Sequence, residues 1–169
     1  LFNNKDYNVL SDPEKYKFIE YQKYKITAEW FTQLTNQKAA EGKEARNLVL
    51  RTKVGWGFLA HYKKSVGFSP FERFYMGGSG ISGFQNFVAR EIIALRGYRD
   101  NSVSSDYGDP IVARYTMELR YPVTLNPSAT IFVLGFAEAG NTWSNYKDFN
   151  PLQVKRSAGI GVRIFLPMF

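Results

Sequence analysis

The chain has 169 residues, no cysteine, a single histidine (His61) and a net charge of +7. That inventory removes disulfide frameworks, thiolate metal sites and any mechanism or metal site that needs two histidines; no metal, cofactor or catalytic residue is expected. Lysine and arginine are spread along the sequence rather than gathered in one stretch, so no nucleic-acid partner is expected either. Aromatic residues make up 17% of the chain, with 11 Tyr and 14 Phe, which is high for a soluble domain.

No run approaches the roughly 18 apolar residues of a membrane helix, a statement that leaves membrane strands untouched because they are shorter and apolar only at alternate positions. The sequence starts at Leu1 without an initiator methionine and stops at Leu166-Pro167-Met168-Phe169 in what reads as mid-element, so it is expected to be a piece of a longer protein.

Residues 1 to 15 are polar, with turn signals at Asn3-Asn4-Lys5-Asp6 and Ser11-Asp12-Pro13. A first strand is expected at about 18–34, where Tyr24, Ile26, Ala28 and Trp30 alternate with Lys23, Lys25, Thr27 and Glu29. A charged connection from Asn36 to Arg46 leads to a second strand at about 47–62. There Leu48, Leu50, Val54, Trp56, Phe58 and Tyr62 share one face, and Arg51, Lys53, Gly55, Gly57 and His61 the other. A helix would hold two interior glycines at about 1 kcal/mol each and would scatter the charges over no common face, so a strand is the better reading.

The longest connection, about 63–109, contains Gly77-Gly78-Ser79-Gly80, Gly83 and Gly97; structureless loops beyond roughly 15 residues usually have a function. A third strand follows at about 111–123, with Ala113, Tyr115, Met117, Leu119 and Tyr121 opposite Arg114, Thr116, Glu118 and Arg120. Pro122 and Asn126-Pro127 then mark a tight turn. In the fourth strand, about 129–143, both faces are apolar from Ile131 to Phe136, so alternation does not tell which side is inner. The fifth, about 155–166, sets Ala158, Ile160, Val162, Ile164 and Leu166 against Ser157, Gly159, Gly161 and Arg163.

The expected fold is all-β, an antiparallel meander forming part of a transmembrane β-barrel. Strands of this length exceed the globular mode of about five or six residues and suit tilted crossings of a hydrocarbon layer. A soluble sandwich or ligand-binding barrel, apolar inside and polar outside, would show the same alternation. A barrel enzyme would need a serine or acid paired with histidine; Ser65 and Ser69 lie near His61, but no nucleophile motif accompanies them.

Two motifs carry a sharper reading. Leu95-Arg96-Gly97-Tyr98 lies in the long loop, and Gly135-Phe136-Ala137-Glu138-Ala139-Gly140-Asn141-Thr142-Trp143 ends the fourth strand. With Phe74-Tyr75-Met76-Gly77-Gly78, Glu118-Leu119-Arg120-Tyr121-Pro122 and Arg156-Ser157-Ala158-Gly159-Ile160-Gly161, they resemble the signature of the BamA family of outer-membrane β-barrel assembly factors. The resemblance runs from about residue 18 onward and implies about five strands of a sixteen-stranded C-terminal barrel, starting near the tenth, with residues 63–109 as its internal extracellular loop. The periplasmic POTRA modules and the other strands, the barrel seam among them, would lie outside this piece.

It also implies a place in the bacterial outer membrane and a non-enzymatic insertase role. The implied partners are outer-membrane lipids, unfolded outer-membrane proteins as substrates, and accessory lipoproteins of an assembly complex. A secretion or translocation pore of the same superfamily is the alternative. The implied site is a clamp between loop and barrel wall: Arg96, Gly97 and Tyr98 from the loop, Phe136, Glu138 and Gly140 from the wall, with Gly77 and Gly78 where the loop begins.

In many relatives the arginine follows the double glycine closely. Here that spacing lands on Ile81-Ser82-Gly83-Phe84, which leaves two candidates for the loop tip; Ser82 cannot form an ion pair, and Arg96 can. The acid is Glu138 where relatives carry aspartate. A loop with little apolar surface would need a directional anchor, and an arginine fork can supply two parallel bonds to one carboxylate. Gly97 would permit a left-handed turn close to the wall, and Tyr98 would rest on Phe136. Lys23, Lys25, Arg51, Lys53, Arg114, Glu118, Arg120 and Arg163 would line the lumen, mostly as solvated charges, with Trp30, Trp56, Tyr115 and Tyr121 on the lipid side.

Overall fold

The computed structural model describes residues 9, 11, 13, 21–38, 45–61, 67–79, 90–126 and 128–166. Five long strands form one antiparallel sheet: β1 (Tyr21–Gln33), β2 (Val49–His61), β5 (Ile111–Asn126), β6 (Ala129–Trp143) and β7 (Lys155–Phe165), neighbours in that order. Two three-residue strands, β3 (Phe74–Met76) and β4 (Glu91–Ile93), pair in parallel within the long connection. Such strands are too short for alternation to reveal them.

The all-β antiparallel meander is therefore present, as an open sheet of long strands. β5 runs three residues further than expected. A register shift between Pro122 and Thr124 absorbs the proline, which lies beyond the last β2 pairing at Arg120, so its missing N–H breaks no ladder on that side.

Register decides which side is inner. Cross-strand rows place Glu29, Lys53, Thr116, Glu138 and Ser157 side by side, and next to them Phe31, Arg51, Glu118, Phe136 and Gly159. The loop lies on this polar face and buries it: Glu118 is 1% exposed and Glu138 2%. On the opposite face Tyr24, Ile26, Trp30, Met117, Leu119, Val162 and Ile164 are exposed, and Ile160 reaches 91%. A soluble apolar-core barrel would bury that second face, so the pattern is the inverse of the soluble alternative. The ambiguous fourth strand resolves the same way, with Leu134 and Phe136 turned inward alongside Glu138.

The loop carries more apolar surface than its sequence suggests. Phe74, Met76, Leu95 and Val103 are buried together with Leu59 and Val112 of the wall, and Ile93 and Tyr98 pack around them. Inner-face glycines make the sockets. A Cβ on Gly57 would stand 2.5 Å from Cζ of Phe74, and one on Gly140 3.1 Å from Sδ of Met76. The expectation that a directional anchor alone must hold the loop is corrected: a small hydrophobic core holds its base.

Candidate functional site

The loop tip follows β4. Leu95 bridges back to Gly78, Gly77 N–H donates to the Ile93 carbonyl and Gly78 N–H to the Tyr98 carbonyl, so the double glycine and the arginine triplet are one folded unit. Both glycines have positive φ (132° and 83°), and a side chain on Gly78 would collide with Asp100. Gly97 has φ 86°, and a Cβ there would stand 3.2 Å from Cβ of Ser157. The tip turns left-handed directly against β7.

This turn aims Arg96 at two acids. Its backbone N–H donates to Oε2 of Glu138 (2.8 Å), while Nε (3.0 Å) and Nη2 (2.7 Å) both donate to Oε1. Nη2 also reaches Oε1 of Glu118 at 2.8 Å. The expected parallel fork, one nitrogen per oxygen, is not the geometry found: the main chain takes one oxygen of Glu138, and the side-chain fork converges on the other. The guanidinium lies 3.7 Å from the Phe136 ring centroid, a stacked cation–π contact. Because Arg96 occupies that ring, Tyr98 takes another place, packing at the loop core and donating its hydroxyl to the Arg156 carbonyl at 2.9 Å.

Glu118 was expected among solvated lumen charges and is instead the second hub. Its Oε2 accepts from Arg51 Nη1 (3.1 Å) and from Arg120 Nε (3.0 Å) and Nη2 (2.5 Å), and Arg163 Nη2 lies 3.6 Å from Oε1. Arg114 Nη2 donates to Glu138 at 2.7 Å, and Arg51 continues the network to Glu29. Five guanidinium groups thus surround two buried carboxylates. The sequence signal was available, since Glu118 has inward parity and falls within a quoted motif. What it lacked was the register that sets Glu118 opposite Phe136.

Two further attachments escaped the sequence. Lys23 on β1 pairs with Glu72 (2.8 Å) and Glu91 (2.6 Å) of the loop, its ammonium 4.8 Å from the Phe74 ring centroid. At the other end Asp109, 3% exposed, accepts from Thr142 Oγ1 (2.6 Å), Ser144 Oγ (2.7 Å) and Ser105 N–H (3.0 Å). Burial alone would raise the Asp109 carboxyl; the donors outweigh it and hold the group below its ordinary value of 3.8.

Gly140 lies beneath Met76, beside the Ala113 carbonyl. The other tip candidate, Ile81-Ser82-Gly83-Phe84, lies outside the described residues, as does Ser65. His61 meets Phe68 edge-on at 4.7 Å, and the Ser69 hydroxyl accepts the Phe71 N–H. Trp30 is exposed on the outer face, and Trp56 donates its indole N–H to the Tyr115 hydroxyl across the strands.

This arrangement suits holding and orientation: two buried carboxylates engaged by the arginines around them, closed in by a folded loop. The sequence model of the Omp85 superfamily domain matches residues 13–169. No curated protein and no solved structure matches the chain.

Proposed function

The chain belongs to the Omp85 superfamily, outer-membrane proteins of protein insertion and secretion, and from that premise we propose that it forms part of a BamA-like insertase barrel. In this reading it resides in the outer membrane of a Gram-negative bacterium, in contact with membrane lipids. It receives unfolded outer-membrane proteins and works beside accessory lipoproteins, without catalysing a covalent reaction. Insertion would proceed by thinning the bilayer locally and templating strands through edge pairing, the tendency of any unpaired strand. This chain contributes the internal loop and the wall that clamps it.

The observation that supports the reading is the placement of Arg96 in a site closed by Glu138, Glu118 and Phe136 on the polar face. Arg96 joins the loop to both acids of the wall, an arrangement suited to fixing the loop in place.

Charge reversal in cells is the test. Arg96→Glu and Glu138→Arg should each impair assembly of outer-membrane barrels, and the double swap should recover part of the loss. A silent single reversal would refute the clamp. Depletion of the protein should lower many outer-membrane barrels together; loss of one secreted passenger alone would assign the secretion-pore reading instead.

A further inference from the structure

Five glycines of the long strands face the loop side among the described residues, and four are filled sockets: Gly57 by Phe74, Gly140 by Met76, Gly159 by Phe136 and Gly161 by Leu134. Gly55 is the exception, with nothing among the described residues within 4 Å of where its Cβ would stand. It sits directly opposite Arg114 on β5 and Thr27 on β1. The space belongs to a cavity of about 170 Å³ between β4 and the wall, lined by Lys25, Thr27, Lys53, Gly55, Glu91 and Arg114 among others. With a water taking about 30 Å³ of liquid, there is room for several waters or for one tetrahedral oxyanion with part of its hydration.

The polar groups around that space are unevenly spent. Glu91 is fully engaged, with Oε2 on Lys23 (2.6 Å) and Oε1 on Lys25 (3.3 Å). Arg114 gives Nη2 to Glu138, but its Nε is buried with no acceptor among the described residues. The Lys53 ammonium is 3.9 Å from Glu29, beyond hydrogen-bond reach. One buried N–H donor and one loosely held ammonium therefore face the same unfilled socket. Water could satisfy the first and would leave the surplus positive charge unbalanced; an anion answers both.

The geometry points to a binding site for a small oxyanion of the phosphate class, held by Lys53 Nζ and Arg114 Nε, with the Thr27 hydroxyl beside them. This site is independent of the insertase reading, since it requires only the docked loop and the wall.

The test uses the full-length protein in detergent micelles, exchanged into phosphate-free buffer and titrated with inorganic phosphate while the phosphorus resonance width is followed. Saturable broadening is expected. Lys53→Gln should weaken it on the order of tenfold to a hundredfold, as for a lost charged hydrogen bond, and Lys53→Arg should largely retain it. Gly55→Val removes no charge and fills the socket, so it should abolish the saturable component. Lys53→Gln alters a partly exposed side chain and gives the answer even if Gly55→Val does not fold. Absence of saturable binding in the unaltered protein, an affinity unchanged by Lys53→Gln, or saturable binding that survives in a folded Gly55→Val overturns the assignment.

Discussion

Truncating Glu138 to alanine separates the two ways in which the loop is held. The carboxylate is fully buried and faces Arg96 and Arg114, whose side chains are 25% and 29% exposed. Removing it leaves Arg114 without its acid and Arg96 with Glu118 alone, and breaking a buried pair of this kind costs up to about 3–5 kcal/mol, or roughly two to three and a half decades in the local docking equilibrium. The loop base is held otherwise. Phe74, Met76, Leu95 and Val103 are buried there, and at about 1.5–3 kcal/mol each they contribute up to about 6–12 kcal/mol. Apolar burial exceeds the clamp, so Glu138→Ala should free the tip and leave the base docked. Hydrogen exchange on the full-length protein reads both: the amides of Arg96, Gly97 and Tyr98 should exchange faster by about those decades, while those of Met76 and Gly77 stay protected. Equal deprotection of tip and base would mean that the ion pair supports the whole loop. No change at either would mean that it supports nothing.

Ile160, mid-strand on the outer face and 91% exposed, should tolerate lysine at no cost in water, yet Ile160→Lys should destabilise the barrel by about 2–4 kcal/mol in a bilayer; heat-modifiable migration after folding into vesicles measures it, and a neutral result would contradict the lipid-facing assignment. Gly57→Ala pushes against the Phe74 ring and should cost about 1–3 kcal/mol as an overpacked site, whereas Gly55→Ala enters open space and should stay within about 0.5 kcal/mol; denaturant midpoints in micelles compare them. Asp109 has a folded-state pKa below its unfolded one, so the folded state binds fewer protons and the contribution is complete above about pH 4, then lost as pH falls through the folded value. Protease cleavage between residues 100 and 110 should therefore be unchanged from pH 8 to 5 and rise at lower pH, and Asp109→Ala, which removes the acceptor shared by the Thr142 and Ser144 hydroxyls and the Ser105 N–H, should raise it at every pH by the equivalent of about 1–3 kcal/mol.

Where one residue alternates with the next, the sequence carried the fold. β6 and the start of β7 fall where the pattern places them, β1 ends one residue earlier, β2 begins two residues later and β5 runs three further, while the expected positions 18–20 and 62 lie outside the described residues. The inner or outer identity of each face could not be read from alternation, because an inverted barrel has the same period; it took the loop, seated on the charged side, to decide. The parallel pair β3 and β4 was illegible for a different reason, since three residues contain no period and Phe74 pairs with Glu91, seventeen positions on. The site divided along the same line. Arg96, Gly97 and Glu138 were accessible through motifs whose chemistry is local: a fork, a left-handed turn, an acid. Glu118 needed a cross-strand register, and Lys23 needed to be placed against Glu72, 49 positions away.

The same distinction explains why the double charge swap at Arg96 and Glu138 should restore only part of the loss. A lone pair would be restored by exchange, because attraction is symmetric. This pair is not alone: Arg114 would then face an arginine at position 138, and Glu118 a glutamate at position 96. Each swapped charge meets one restored partner and one new like charge, and like charges at such distances repel by amounts comparable to the attraction regained. The clamp is thus polarised by its wall, with acids fixed on β5 and β6 and arginines around them. A loop tip bearing a positive charge is the arrangement that this wall accepts.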